Sequence, residues 1–373
     1  MSMARGPTGV PPSAAEVSTD SPSAEAVRAS CRAAVERYRV PSTPRALWQL
    51  GNTLIPYALI WWLLHFPLLR SWWIAPPLLL LAAGLLVRLF IIFHDCGHGS
   101  FVRSRLANQL IGIVAGLLTF TPYFYWRWQH GVHHRTSGDL DRRGAGDIWT
   151  LTVQEYLEAS RWRRFAYRMA RNPIILFLVA PLIMFVIVQR LPAADAPARE
   201  RRSVHLTNIG LALMVVAMCA LFGVKTYLLI QLPLLVISGA VGVWMFYVQH
   251  QFDGVYWERR EAWDYTAAAL QGSSYYKLPR ILQWFSGNIG FHHIHHLSPH
   301  IPNYNLQRCH NAAATFGAIR PLTLLASLRS LRLRLWDEPR RELIGYADLR
   351  RLRRAGGGRL QLARARAREH SAR

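Results

Sequence analysis

Six apolar stretches, at residues 46–69, 71–87, 106–126, 173–188, 203–224 and 226–252, contain no Asp, Glu, Lys or Arg. Several reach the ~20 residues needed to cross a bilayer as a helix. Hydrocarbon supplies no hydrogen-bond partners, so such stretches must satisfy their backbone internally. The expected class is an all-α integral membrane protein.

Histidines sit at the ends of these stretches. Ten of the fifteen fall in three clusters and one outlier. The clusters are His94-Asp95-Cys96-Gly97-His98, His130-Gly131-Val132-His133-His134 and His292-His293-Ile294-His295-His296, and the outlier is His250. Imidazole is the commonest transition-metal ligand near neutral pH. His94 and His98 are spaced i, i+4; His130, His133 and His134 are spaced i, i+3, i+4, as are His292, His295 and His296. On a helix these positions share a face, so each cluster is expected to aim its rings at one point. With His250 the set numbers nine, four for one metal and five for a second. Helix geometry turns His293 away from its partners. His65, His205, His300, His310 and His370 stand alone and read as surface or capping residues.

One metal centre requires all clusters on one membrane face. Residues 46–69 and 71–87 then form a hairpin whose second helix runs on to His94. Residues 106–126 separate two clusters, so they must enter and leave on the same side; Gly112, Gly116 and Pro122 suit a re-entrant or interfacial segment. Three stretches separate His134 from His250, and an even number must cross. Residues 203–224 and 226–252 are favoured as the second hairpin, with 173–188 buried without crossing. In the alternative, 173–188 crosses and the next two fuse into one bent return. The expected architecture is two transmembrane hairpins, four to six membrane segments in all, capped by a cytoplasmic helical region. Its limits are a disordered or amphipathic segment over 1–45, the membrane domain over 46–332 and a basic tail over 333–373.

The net charge of +23 comes from basic residues flanking apolar spans. Positive-inside bias and anionic lipid explain that placement better than nucleic acid does. Four scattered cysteines, none in C-x-x-C, suggest neither a disulfide framework nor a zinc ribbon. No signal peptide is expected. No Glu has a His three residues later, which sets the chain apart from carboxylate-bridged di-iron bundles. Imidazole suits both zinc and iron.

The pattern H-x3-H, H-x2-HH, H-x2-HH resembles the membrane fatty acid desaturases, closest to their bacterial acyl-lipid branch. The boxes carry the resemblance, with Thr136-Ser137-Gly138-Asp139-Leu140-Asp141, Phe246-Tyr247-Val248-Gln249-His250-Gln251-Phe252 and the stretch from Gln271 through Ile301-Pro302-Asn303-Tyr304-Asn305-Leu306. It spans residues 47–332. The resemblance implies O2-dependent insertion of a cis double bond into a long acyl chain, on phospholipid in this branch. It implies a di-iron centre held by the box histidines, with His250 like the extra ligand after the last transmembrane helix, in a bacterial cell membrane. Where the acyl-CoA branch carries an Asn one turn before that histidine, this chain has Phe246. Asn288 and Gln249 are candidates to replace it. A metal-bound His usually donates its other N–H to a carboxylate or carbonyl. Asp95 is the first choice for that role, with Asp139, Asp141 and Asp147 also near the boxes. Tyr123, Tyr125, Trp126, Trp128, Trp149, Trp244 and Tyr247 are candidate walls for an acyl tunnel or, equally, core and interface residues.

No dinucleotide fingerprint, ferredoxin-like Cys run or His-Pro-Gly-Gly haem motif is present. An external electron donor such as ferredoxin or flavodoxin is expected, steered by Arg142, Arg143, Arg161, Arg163 and Arg164. Two rival readings remain: a membrane di-iron hydroxylase acting on alkanes, sterols or carotenoids, and a membrane metal transporter.

Overall fold

A computed structural model describes residues 24–144 and 146–355 and is mostly helical. The chain opens with α1 (Ala24–Glu36), which buries Cys31 and Val35. Within the N-terminal stretch expected to be disordered or amphipathic, residues 24–36 are thus helical; residues 1–23 lie outside the described residues. Helix α2 (Thr43–Leu63) starts with Pro44 in its first turn, where the missing N–H costs nothing. It stops well short of Leu69, and a 3-10 turn, Pro67–Arg70, follows. Gln49, Asn52 and Thr53 in its first half keep it out of the set apolar enough to span.

Helix α3 (Ala75–His98) is the hub. Prolines in its first turn open it, and Gly99 closes it in the left-handed region at φ 69°, donating back to Cys96 O. The first histidine cluster therefore forms its last two turns. Helix α3 packs against α2, against α4 (Arg105–Leu118) and against α5 (Tyr123–Thr136). The last two are bent by 99° at a four-residue break, which gives residues 106–126 the broken form expected of a re-entrant segment. An ideal Cβ on Gly112 would lie 2.2 Å from the Tyr123 ring. Only glycine lets α4 approach closely enough for Tyr123 to donate to Cys96 O at 2.6 Å.

Residues 173–188 are not one regular helix. They pass through a π-helical turn, Ile175–Val179, then Ala180–Val186, and the whole is bent by 63° from Arg161–Ala170. Helices α6 (Ala198–Phe222) and α7 (Val224–His250) are separated by Gly223, at φ 80°. Helix α6 turns Leu206, Ile209, Leu213 and Val216 outward, the surface expected of a lipid-facing helix. Among the described residues three helices, α3, α6 and α7, are long and apolar enough to cross a membrane, or up to five segments if each bent pair counts as one span.

Beyond α7, α8 (His292–Leu297) and α9 (Asn303–Ala312) complete the histidine region. Two small sheets tie the later chain to it. Tyr275–Lys277 pairs in parallel with Pro321–Thr323. Leu335–Asp337 lies between Leu151–Thr152 and Glu342–Ile344, with Trp336 buried. The segment set apart from residue 333 onward is therefore sheet-bound at 335–344, and it ends in the basic helix Tyr346–Ala355; residues 356–373 lie outside the described residues.

The α4–α5 contact leads to a prediction. Gly112→Ala should lower the thermal midpoint in detergent, because overpacking a tight core site costs about 1–3 kcal/mol. An unchanged midpoint would show that Tyr123 can move aside freely.

Candidate metal centre

Four helices deliver the nine histidines. Helix α3 supplies His94 and His98, α5 supplies His130, His133 and His134, α7 ends on His250, and α8 supplies His292, His295 and His296. The structure brings them into two adjoining groups. One holds His94, His98, His130, His134 and His295; the other holds His133, His250, His292 and His296. Within each, the candidate ligand atoms all lie within 4.8 Å of one another. His134 of the first stacks on His296 of the second at 4.3 Å between centroids.

The boxes do not aim at single points. His130 and His134 join one group while His133 joins the other; His292 and His296 join one while His295 crosses over. Adjacent helix positions diverge by ~100°. The i and i+4 rings therefore stay on one stripe while i+3 swings to the neighbouring one. The H-x2-HH spacing thus spans two sites.

Hydrogen bonds at the outer nitrogens set the tautomers. His133 Nδ1–H donates to Asp147 Oδ1 at 2.8 Å, and His250 Nδ1–H donates to Gly272 O at 3.2 Å. A ring that is neutral in this tautomer carries its lone pair on Nε2. Those two Nε2 atoms are 3.2 Å apart, and two neutral rings so arranged have no proton to share. Such lone pairs repel unless a cation lies between. In the other group, His94 Nδ1 faces Asp95 Oδ1 at 3.2 Å, and its Nε2 lies 3.0 Å from His130 Nε2. His98 Nε2 is buried without a hydrogen-bond partner. Convergent lone pairs and an orphaned ring nitrogen are what a metal-binding donor set presents. Burial, then the neighbouring imidazoles, hold His292, His295 and His296 well below the ordinary histidine range. They are therefore neutral, the state that ligates metal.

Asp95 lies against the His94 ring. Its Oδ2 accepts from Asn303 N at 2.6 Å and Asn303 Nδ2 at 2.9 Å, which leaves Oδ1 for His94. Asp139 does not reach a histidine. It accepts from the N–H groups of Asp141 and Arg142 and pairs with Arg142 Nε at 2.5 Å, as a polar-turn residue does. The Asn288 amide accepts from Gln283 Nε2 and donates to the Asn303 carbonyl. Gln249 donates to Ile289 O. Phe246 packs against both His133 and His250, at 5.3 Å from each, so an apolar ring stands where a polar partner was sought.

His293 lies outside both groups and meets His310 at 3.1 Å; burial pushes it down to about 3. His310, read from sequence as a surface or capping residue, is therefore a buried partner. Of the aromatic candidates, Trp126 stacks on His130 at 4.3 Å. Tyr123, Tyr125, Trp244 and Tyr247 spend their polar atoms on structural hydrogen bonds. Asn303 and the Gly272 carbonyl were missed as supports. Both lie in the family-like stretch, but main-chain carbonyls and amide orientation leave no mark in residue spacing.

Asp147→Asn should weaken metal binding by about 10–100-fold, the usual effect of losing such a supporting carboxylate. Titration of the metal-free protein with ferrous iron checks this; unchanged affinity would mean that Asp147 does not support His133.

The fatty acid desaturase profile matches residues 70–322. A fatty acid desaturase of Bacillus subtilis (strain 168) is 44% identical over 318 residues, 85% of this chain and 90% of that protein. An sn-1 oleoyl-lipid 12-desaturase of Picosynechococcus sp. is 26% identical over 256 residues, 65% of this chain and 70% of that protein. An sn-1 acyl-lipid omega-3 desaturase (ferredoxin) of Synechocystis sp. is 28% identical over 261 residues, 65% of this chain and 68% of that protein. This chain belongs to the fatty acid desaturase family and is an oxidoreductase.

Proposed function

We propose that the protein inserts a cis double bond into a long acyl chain carried on a membrane lipid. O2 is the oxidant and two irons are held by the nine histidines of the two groups. The observation that carries this reading is the pair of adjoining imidazole clusters, within each of which Nε2 atoms converge. Acyl-lipid desaturases among the relatives support the lipid-borne substrate. The overall change removes one hydrogen from each of two adjacent methylenes; with O2, two electrons and two protons it yields the alkene and two waters.

Iron bound in the two groups would activate O2 for attack on an unactivated methylene. The chain's own residues do the rest. Asp95, Asp147 and the Gly272 carbonyl hold three rings in the tautomer that presents Nε2. Trp126 and Phe246 cover the histidines with apolar surface, which limits water near the reacting atoms. The histidine boxes face the cytoplasm of a bacterial cell, where reduced electron carriers reside.

Electrons come from an external carrier of the ferredoxin or flavodoxin kind; a relative whose name includes ferredoxin supports this. Arg142 and Arg143 are already paired with Asp139 and Glu155, so steering falls mainly to Arg161, Arg163 and Arg164. With donor below saturation, turnover should fall as ionic strength rises. A salt-independent rate would remove electrostatic steering from the account.

The deciding experiment is expression in a bacterium lacking desaturases, with gas chromatography–mass spectrometry of its fatty acids. A new double bond is expected, and His295→Ala should abolish it while the protein still inserts. An added oxygen in place of two lost hydrogens would establish the hydroxylase reading instead.

A further inference from the structure

A polar cleft opens between α2, α3, α9 and the short helix Arg280–Phe285. Its volume is about 370 Å³, within the ~300–1,000 Å³ of ligand sites. Arg45, Arg88 and Arg280 line it, and no carboxylate does. Among the described residues none of these three arginines forms an ion pair with an acid. Arg88 is 7% exposed; it bonds Thr53 Oγ1 and the Trp284 carbonyl and lies over the Trp284 ring at 3.9 Å. Uncompensated cations held together in a membrane protein carry a cost, which a bound anion offsets.

The wall also holds unmet acceptors. Asp95, an acceptor only, fixes Asn303 Nδ2 as its donor. Asn303 Oδ1 must then accept, and it does so from Gln49 Nε2 at 3.0 Å. Gln49 Oε1 is thereby left as an acceptor, and it is buried without a partner; Asn52 Oδ1 is likewise unpartnered. Gln49 is 3% exposed. The cleft thus combines positive charge for an anion with acceptors for a hydroxyl donor.

Its rim is apolar. Trp48 is 74% exposed, and Leu47 and Ile281, next in sequence to Trp48 and Arg280, are 58% and 72% exposed. A site for a soluble phosphate ester has no use for such a rim, whereas a site filled from the bilayer does. From these features we infer that the cleft binds the phosphoglycerol head of an anionic phospholipid. This rests on the lipid-borne substrate proposed above and names its head group. The phosphate meets Arg45 and Arg280, and the glycerol hydroxyls donate to the Gln49 and Asn52 oxygens. Choline, which has no N–H or O–H, leaves those oxygens unmet. The Gln49–Asn303–Asp95–His94 chain ties this wall to the first histidine group.

The test uses the full-length, iron-loaded protein in phosphatidylcholine nanodiscs. Trace spin-labelled phosphatidylglycerol is added, and the immobilised fraction is read by electron paramagnetic resonance. Wild type should hold the glycerol lipid over labelled phosphatidylcholine. Arg280→Gln should weaken retention about tenfold, the scale of one charge-assisted hydrogen bond. Arg45→Gln carries the same test should Arg280→Gln fail to fold, and iron content and thermal midpoint report folding. Equal retention of both lipids, or full retention by the folded variants, overturns the inference. So does displacement of the label by glycerol phosphate, which would make this a soluble phosphate-ester site. Wild type that makes alkene yet shows no lipid preference sinks this inference alone; wild type that prefers the glycerol lipid yet makes no alkene sinks the desaturase reading alone.

Discussion

Mutual repulsion of ring-nitrogen lone pairs is the constraint on which the rest of the structure depends. Nine imidazoles, most of them buried, converge at hydrogen-bond distances, and between His133 and His250, whose Nδ1 protons go to Asp147 and the Gly272 carbonyl, neutral rings have no proton left to share. Left to itself, such an arrangement would push its helices apart. Asp95, Asp147 and the Gly272 carbonyl hold three of the rings from outside, and a bound cation would draw them together from within. Helix α3 must therefore be rigid up to its final residue, and the hinge at Gly99 must come immediately after His98.

The surrounding fold supplies that rigidity through close backbone approach and buried polar ties. Gly112 lets Tyr123 lock α5 to the end of α3. Arg171, 1% exposed, bonds Gln251 and the Leu333 carbonyl, pinning the residue after His250 to the C-terminal segment. The two small sheets hold loops that the helices alone would leave free. The outward surface has the opposite character: α6 shows apolar side chains to its surroundings and is only lightly buried within the protein.

Much of this was legible from residue spacing. The convergence of the box histidines and the broken form of residues 106–126 follow from local rules of helix phase, glycine and hydropathy. The contact of Asp95 with His94 follows from their adjacency. The partners of Asp139 and Asn288 were not legible, because proximity along the chain does not fix direction. Asp139 turns to the backbone of its own loop, and Asn288 turns to Asn303. His310 looked solitary because its partner His293 lies on a different helix.

The sequence by itself determined which residues have the chemistry to ligate, and that long charge-free stretches must be helical. Both follow from composition and from periods of three and four residues. Only the tertiary structure decided how nine rings divide between two groups, and which outer atom holds which ring. It also placed Gln49 and Asn52 with unmet oxygens beside three arginines. The reason is geometric: one helix sets the angle between its own side chains, but the meeting of four helices sets which of those side chains share a point.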